Sequence, residues 1–130
     1  MNTFLALDVG ERRIGVAIAN DIARMASPLT TVQNDDKTTQ TIADLVREHG
    51  VTTLVVGLPR SLEGNSTQQT TYVQEFVKVL QSSLPHVAIV MQDEAATSIE
   101  AERRLQQQKS YQKADIDAMA AAIILEDYLG

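Results

Sequence analysis

Apolar and polar positions divide the chain into short blocks whose period changes along its length. Residues 3–9, TFLALDV, are apolar on both alternating faces, the pattern of a strand covered on its two sides. After a turn at Gly10–Arg12, Arg13–Ala19 alternates as a second strand, with Ile14, Val16 and Ile18 on one face. Ala26–Val32 is a third extended stretch that Pro28 pushes toward a sheet edge. Asn34-Asp35-Asp36 signals a turn, and beyond it Ile42, Leu45, Val46 and His49 recur at helical spacing until Gly50 supplies a stop.

Thr52–Gly57 is a nearly all-apolar strand, followed by the turn-rich loop LPRSLEGNS. Ser66 with Gln69 predicts a capping box, opening a helix that carries Val73, Phe76, Val77 and Leu80 on one face. His86–Met91 predicts another buried strand, and Thr97 with Glu100 a second capping box for a helix to about Gln107. Lys113 to Tyr128 predicts a last helix, rich in Ala and Ile. Three consecutive strands followed by alternating helices and strands predict an α/β fold. Its mixed five-stranded sheet is antiparallel among the first three strands and parallel afterwards, with helices on both faces. No repeat or linker interrupts this order, so a single domain over residues 1–130 is expected.

Three carboxylates sit where packing alone explains them poorly. Asp8 interrupts a buried strand between Leu7 and Val9, where a charge costs several kcal/mol unless it is paired or bound to a metal. An Asp that ends the strand and bonds the amides of the Gly10 turn is the plainer account. Glu94, beside Asp93, lies just past the strand VAIVM, at the carboxyl edge where α/β sheets commonly hold ligands. Two solvated acids ahead of a helix N-terminus would explain that pair equally well. Asp117 is the most informative, because it shares a helical face with Ala120, Ala121, Ile124 and Tyr128 and so needs a partner. Asp115 is less constrained, since the first turn of a helix favours negative charge.

Composition narrows the chemistry. With no cysteine there is no disulfide, thiol nucleophile or zinc ribbon, as suits a reducing compartment. His49 and His86 are poorly placed as ligands, one on a helix stripe and the other opening a strand. Three acids from separate parts of the chain therefore describe a hard-cation site for magnesium or manganese. Two such ions about 4 Å apart can activate water against a phosphodiester and stabilise the leaving oxygen. The N-terminus lacks a signal-peptide pattern, and no apolar run approaches the roughly 20 residues of a membrane span. A cytoplasmic protein without a membrane partner is expected.

The segments that hold these acids resemble the YqgF family. LALDVGERRIGVAIA is similar to that family's first strand, Gly turn and R-I-G-V-A strand, and VVGLPRSLEGN to its V-G-L-P loop. MQDEAATSIEAERRL is similar to its D-E-R-x-T-S-x-E-A segment, and KADIDAMAAAIILEDYL to its K-x-D-x-x-A-A-x-I-L helix. The four occur in order across essentially the whole chain. The resemblance implies a ribonuclease H-like fold and magnesium-dependent phosphodiester hydrolysis, with manganese as an alternative ion. Family members are described either as Holliday junction resolvases or as nucleases that process the 5′ end of precursor 16S ribosomal RNA. Matched position by position, the catalytic and metal-binding acids are Asp8, Glu94 and Asp117; in a two-ion hydrolysis Asp8 would bridge the ions and each of the others would hold one. One departure stands out: Ala95 occupies the position of the family's usual Arg, which would weaken substrate affinity or activity unless Arg103, Arg104 or Arg60 compensates.

A net charge of −6 argues against bulk electrostatic attachment to nucleic acid. The distribution changes that picture, because Arg12, Arg13, Arg60, Arg103, Arg104, Lys109 and Lys113 all lie in segments next to the proposed acids. Arg12, Arg13, Arg60 and Lys113 are the candidate substrate contacts. The expected partner is nucleic acid, RNA in preference to branched DNA, presented by a ribosomal particle to a monomer or weak homodimer. Symmetric resolution of a junction would need two active sites in a dimer. Two other readings remain. The D-x-G strand–turn–strand also occurs in actin-like ATPases and sugar kinases, which need a second lobe that 130 residues do not supply. A domain impaired by Ala95 could instead serve ribosome maturation as a binding factor without turnover.

Overall fold

In the computed structural model five strands form one mixed sheet: β1 (Thr3–Val9), β2 (Arg13–Asn20), β3 (Ser27–Gln33), β4 (Thr53–Pro59) and β5 (Ala88–Glu94). Three helices accompany them: α1 (Thr38–His49), α2 (Gln68–Ser83) and α3 (Lys113–Leu129). The structure describes residues 1–59, 65–94, 101, 103–107 and 113–130, with the backbone alone at Lys113 and Ala114. Residues 101 and 103–105 are helical, while the predicted cap at Thr97 and Glu100 lies outside the described residues.

The strands hydrogen-bond in the order β3-β2-β1-β4-β5. β1 to β3 pair antiparallel, and β1, β4 and β5 run parallel, as the predicted order of elements required. Alternation along β1 divides the core in two. Leu5, Leu7 and Val9 face α1 and α2 and pack with Ile42, Val46, Val73, Val77 and Leu80. Ala6 faces the other side and packs with Ala17, Ala19 and Val55 beneath Ala121, Ala122, Ile124 and Leu125 of α3. The small residues on this second face let the α3 backbone come close to the sheet. Tyr128 meets Phe4 edge to face, ring centroids 5.9 Å apart, so α3 ends over the start of β1 and begins over its finish.

Local signals account for most boundaries. Gly50 adopts the left-handed conformation (φ 63°) that stops α1; its N–H donates to Arg47 O (3.4 Å), and Val51 N–H donates to Val46 O (2.9 Å). β3 is an edge strand, as Pro28 suggested. Its register slips where Val16 faces Thr30 but Ala17 faces Pro28, leaving Leu29 as an extra residue.

Three expectations need correction. The α2 cap is Thr67 with Thr70, each satisfying the other's backbone, rather than Ser66 with Gln69. Gln69 is committed elsewhere, donating to Val9 O at 3.1 Å. β5 is a half-buried edge strand, with Met91 46% exposed, instead of a fully buried one. It also begins later and runs to Glu94, because Gln92, Asp93 and Glu94 continue the ladder with Gly57, Leu58 and Pro59. Among the described residues no helix is long and apolar enough to cross a membrane.

Candidate active site

Asp8 points to the α3 side of the sheet, near the carboxyl end of β1, and its neighbours on both flanking strands are glycines. Across the antiparallel pair it faces Gly15. On the parallel side Leu7 pairs with Val56, which sets Gly57 beside Asp8. A glycine inside a strand usually marks close approach by something else, and here each admits one of the other acids. A Cβ on Gly15 would lie 1.9 Å from the Asp117 carbonyl oxygen and 2.8 Å from Ala118 N. The α3 backbone therefore rests directly on β2, and that contact delivers Asp117. A Cβ on Gly57 would lie 2.9 Å from Glu94 Cδ and 3.0 Å from its Oε2. The Glu94 carboxylate, from the last residue of β5, thus folds back over Gly57 toward Asp8. Glu94 and Asp117 thus lie near enough for their charges to act on Asp8, across the space that the two glycines leave open.

Electrostatics mark the gap as a place for positive charge. Burial, then the negative charges of Glu94 and Asp117, push the Asp8 carboxyl up from 3.8 to about 8. At neutral pH Asp8 keeps its proton, and a cation among the three acids would release it. Asp117 has a counter-charge already, because Arg13 Nε donates to its Oδ2 at 2.6 Å. Arg13 is the first residue of β2, set by a tight turn in which Gly10 N–H donates to Arg13 O (2.9 Å).

The turn that follows Asp8 is held from outside. The Asn34 side-chain amide donates to Gly10 O (2.7 Å) and to the Tyr72 hydroxyl (2.9 Å), and Asn34 N–H donates to Arg12 O (2.9 Å). Gln69, at the start of α2, donates to Val9 O, and the next residue, Thr70, donates its hydroxyl to Pro59 O. The first turn of α2 thus ties the ends of β1 and β4, the two strands beneath the acids.

Of the other sequence candidates, Arg12 is exposed in the β1–β2 turn and Lys113 is the first residue of α3. Asp115 is exposed in the first turn of α3, as the helix dipole favours. Arg60, Ala95 and Lys109 lie outside the described residues. Arg103 is exposed, whereas Arg104 grips Glu126 with two bonds of 3.1 Å. Glu126 is nine residues beyond Asp117, about 13 Å along the helix, so this pairing directs Arg104 away from the acids. His49 lines a cavity with Thr3 and Asn20 at the opposite end of the sheet, and His86 is exposed. Sequence reading missed Gly15, Gly57, Asn34 and Gln69. Glycine within an apolar strand was the available signal for the first two; the others depend on tertiary contacts.

The donor set suits a hard divalent cation, since carboxylate oxygens are what magnesium and manganese take. Among the described residues no three His, Asp or Glu side chains are gathered closely enough to hold a metal ion as they stand. One Asp117 oxygen is engaged by Arg13.

Comparison with known proteins agrees with this architecture. A protein of Thermus thermophilus, RuvC in complex with a Holliday junction substrate, is similar with a TM-score of 0.59 at 13% identity, over 95% of this chain and 92% of that one. The Fowlpox virus resolvase with Holliday junction DNA also has a TM-score of 0.59, at 9% identity over 98% and 96%. These likenesses show the ribonuclease H-like fold that the motifs implied. Relatives named "Putative pre-16S rRNA nuclease" are much nearer in sequence. That of Sulfurihydrogenibium sp. is 38% identical over 99% of this chain and 90% of its own length. That of Chloroflexus aurantiacus is 46% identical over 96% and 84%. The family described as RuvX: Holliday junction resolvase matches residues 2–130, and this chain belongs to that family.

Proposed function

We propose that the chain is a divalent-cation-dependent nuclease that hydrolyses phosphodiester bonds where Asp8, Glu94 and Asp117 converge, acting on precursor 16S ribosomal RNA. One observation carries the reading: three acids from distant positions meet over Gly15 and Gly57, at the carboxyl edge of the parallel strands. A carboxyl held protonated up to about pH 8 by burial and two like charges is poor structural design and good cation-site design. When bound, magnesium or manganese would supply water activation and stabilise the leaving oxygen. Asp8, flanked by Glu94 and Asp117, would hold the cation together with those two acids. Arg12 and Arg13 stand at the rim, and Arg60 and Lys113 are adjacent in sequence to β4 and at the head of α3. These bases offset the acidic net charge locally, so nucleic-acid binding should be weak and salt-sensitive.

The rRNA substrate is supported by the names of the full-length relatives. The family description supports a four-way DNA junction as the second reading. A cytoplasmic setting and substrate presentation by ribosomal particles follow from the first. The test incubates wild type and Asp117→Asn with a precursor 16S leader RNA and a synthetic four-way junction, in magnesium and then manganese. Cleavage of the RNA by wild type alone is expected, with the variant slower by at least about a hundredfold, more than loss of a metal's supporting residues gives. Junction cleavage without RNA cleavage would transfer the function to DNA. Equal rates for the two proteins would overturn the assignment of the acids.

A further inference from the structure

We propose that Arg13 is an internal counter-cation, which holds Asp117 in the cation-free protein and releases it to an incoming divalent ion, freeing the guanidinium for a substrate phosphate. The inference rests on the cation site proposed above. Three carboxylates share the site, and one of them already has a built-in counter-charge: Arg13 Nε donates to Asp117 Oδ2 at 2.6 Å.

The contact is directed but open to solvent. The Arg13 and Asp117 side chains are 36% and 23% exposed, so the pair can part without stranding a buried charge. It uses Nε, the inner nitrogen of the guanidinium, whose terminal nitrogens are the pair that grips phosphate in two-pronged fashion. The Arg13 backbone is fixed by the Gly10 turn and by pairing with Gln33 of β3. Exchange therefore needs a side-chain rotation and no change of fold. A doubly charged ion among the acids repels the guanidinium while offering Asp117 a stronger partner.

Opposite outcomes separate this role from plain positioning. If Arg13 competes with the ion, Arg13→Gln should bind manganese roughly two- to fivefold more tightly than wild type, read by paramagnetic resonance of the free ion. If Arg13 merely orients Asp117, the variant should bind more weakly, and that result would overturn the proposal. A measurement on the unaltered protein guards against a variant that misfolds. The Arg13 Nε–H resonance should move and lose exchange protection as magnesium is added; an unchanged resonance at saturation would refute release. The phosphate half is read by binding of a single-stranded phosphorothioate oligonucleotide. Wild type should exceed Arg13→Gln in magnesium by a wider margin than in chelator, and equal margins would sink the coupling. If neither wild type nor Arg13→Gln binds magnesium or manganese, the cation site itself falls, and this inference falls with it. If both bind ions while Arg13 stays put, only this inference fails.

Discussion

Replacing Asp8 by asparagine should make the cation-free protein more stable while abolishing cleavage. The wild-type carboxyl has a folded value of about 8 against 3.8 for the ordinary group. The folded state thus holds a proton that the unfolded chain gives up. Stability from this group is fully present below about pH 3.8, declines as pH rises, and stops declining once pH passes about 8. At pH 7 roughly three pH units of that interval have been crossed, and at about 1.4 kcal/mol per unit the group has cost up to about 4 kcal/mol. Relaxation of the Asp8 surroundings lowers this, so a gain of about 2–4 kcal/mol is expected for Asp8→Asn, whose amide donates to the neighbouring carboxylates. With an unfolding entropy near 2.1 cal/mol/K per residue, 2 kcal/mol is about 7 °C in Tm for this chain. Thermal unfolding in chelator between pH 4 and pH 8 is the assay. The variant should melt together with wild type near pH 4 and progressively above it toward pH 8. Magnesium should then raise the Tm of wild type more than that of the variant. An Asp8→Asn protein less stable than wild type at pH 8, or a gap that does not close toward pH 4, would refute the reasoning.

The two glycines divide placement of the acids from integrity of the fold. Gly57→Ala puts a methyl 2.9–3.0 Å from the Glu94 carboxyl and 2.5 Å from Ile124 Cδ1, both ends of side chains that can shift. It should stay folded, losing about 1–3 kcal/mol by overpacking, while cleavage falls by about 10- to 100-fold as Glu94 is displaced; full activity would show that Glu94 is not needed where it lies. Gly15→Ala meets backbone instead, 1.9 Å from Asp117 O. It should lose more than about 3 kcal/mol by denaturant unfolding, since α3 has to lift off the sheet, and a wild-type midpoint would refute that contact.

The sheet was legible because its signals are local and repeated. Alternation in residues 3–9 and 13–19, the edge mark of Pro28 and the helical stripe ending at Gly50 depend on near neighbours alone. Family resemblance supplied the three acids. The residues themselves had singled out the same three, but only Asp117 was compelling, because an acid on an Ala-rich helical face must find a partner across the packing that buries that face. What stayed hidden was pairwise. Glu94 read as lying beyond its strand, since QDE is polar; only the ladder with Gly57, Leu58 and Pro59 keeps it extended. Gln69 read as a cap partner, but tertiary structure sets Val9 O within its reach and leaves the cap to Thr67 and Thr70. Arg13 read as a free substrate contact, yet it is 104 residues from the carboxylate it bonds.

The slipped register of β3 also bears on behaviour at high concentration. A regular outer strand offers a row of unpaired N–H and C=O groups on which another chain can form a strand. Here Pro28 contributes no N–H to that row, and the extra residue at Leu29 bends the strand and breaks its spacing. The irregularity that looks like a flaw in the ladder works against aggregation through this edge of the sheet.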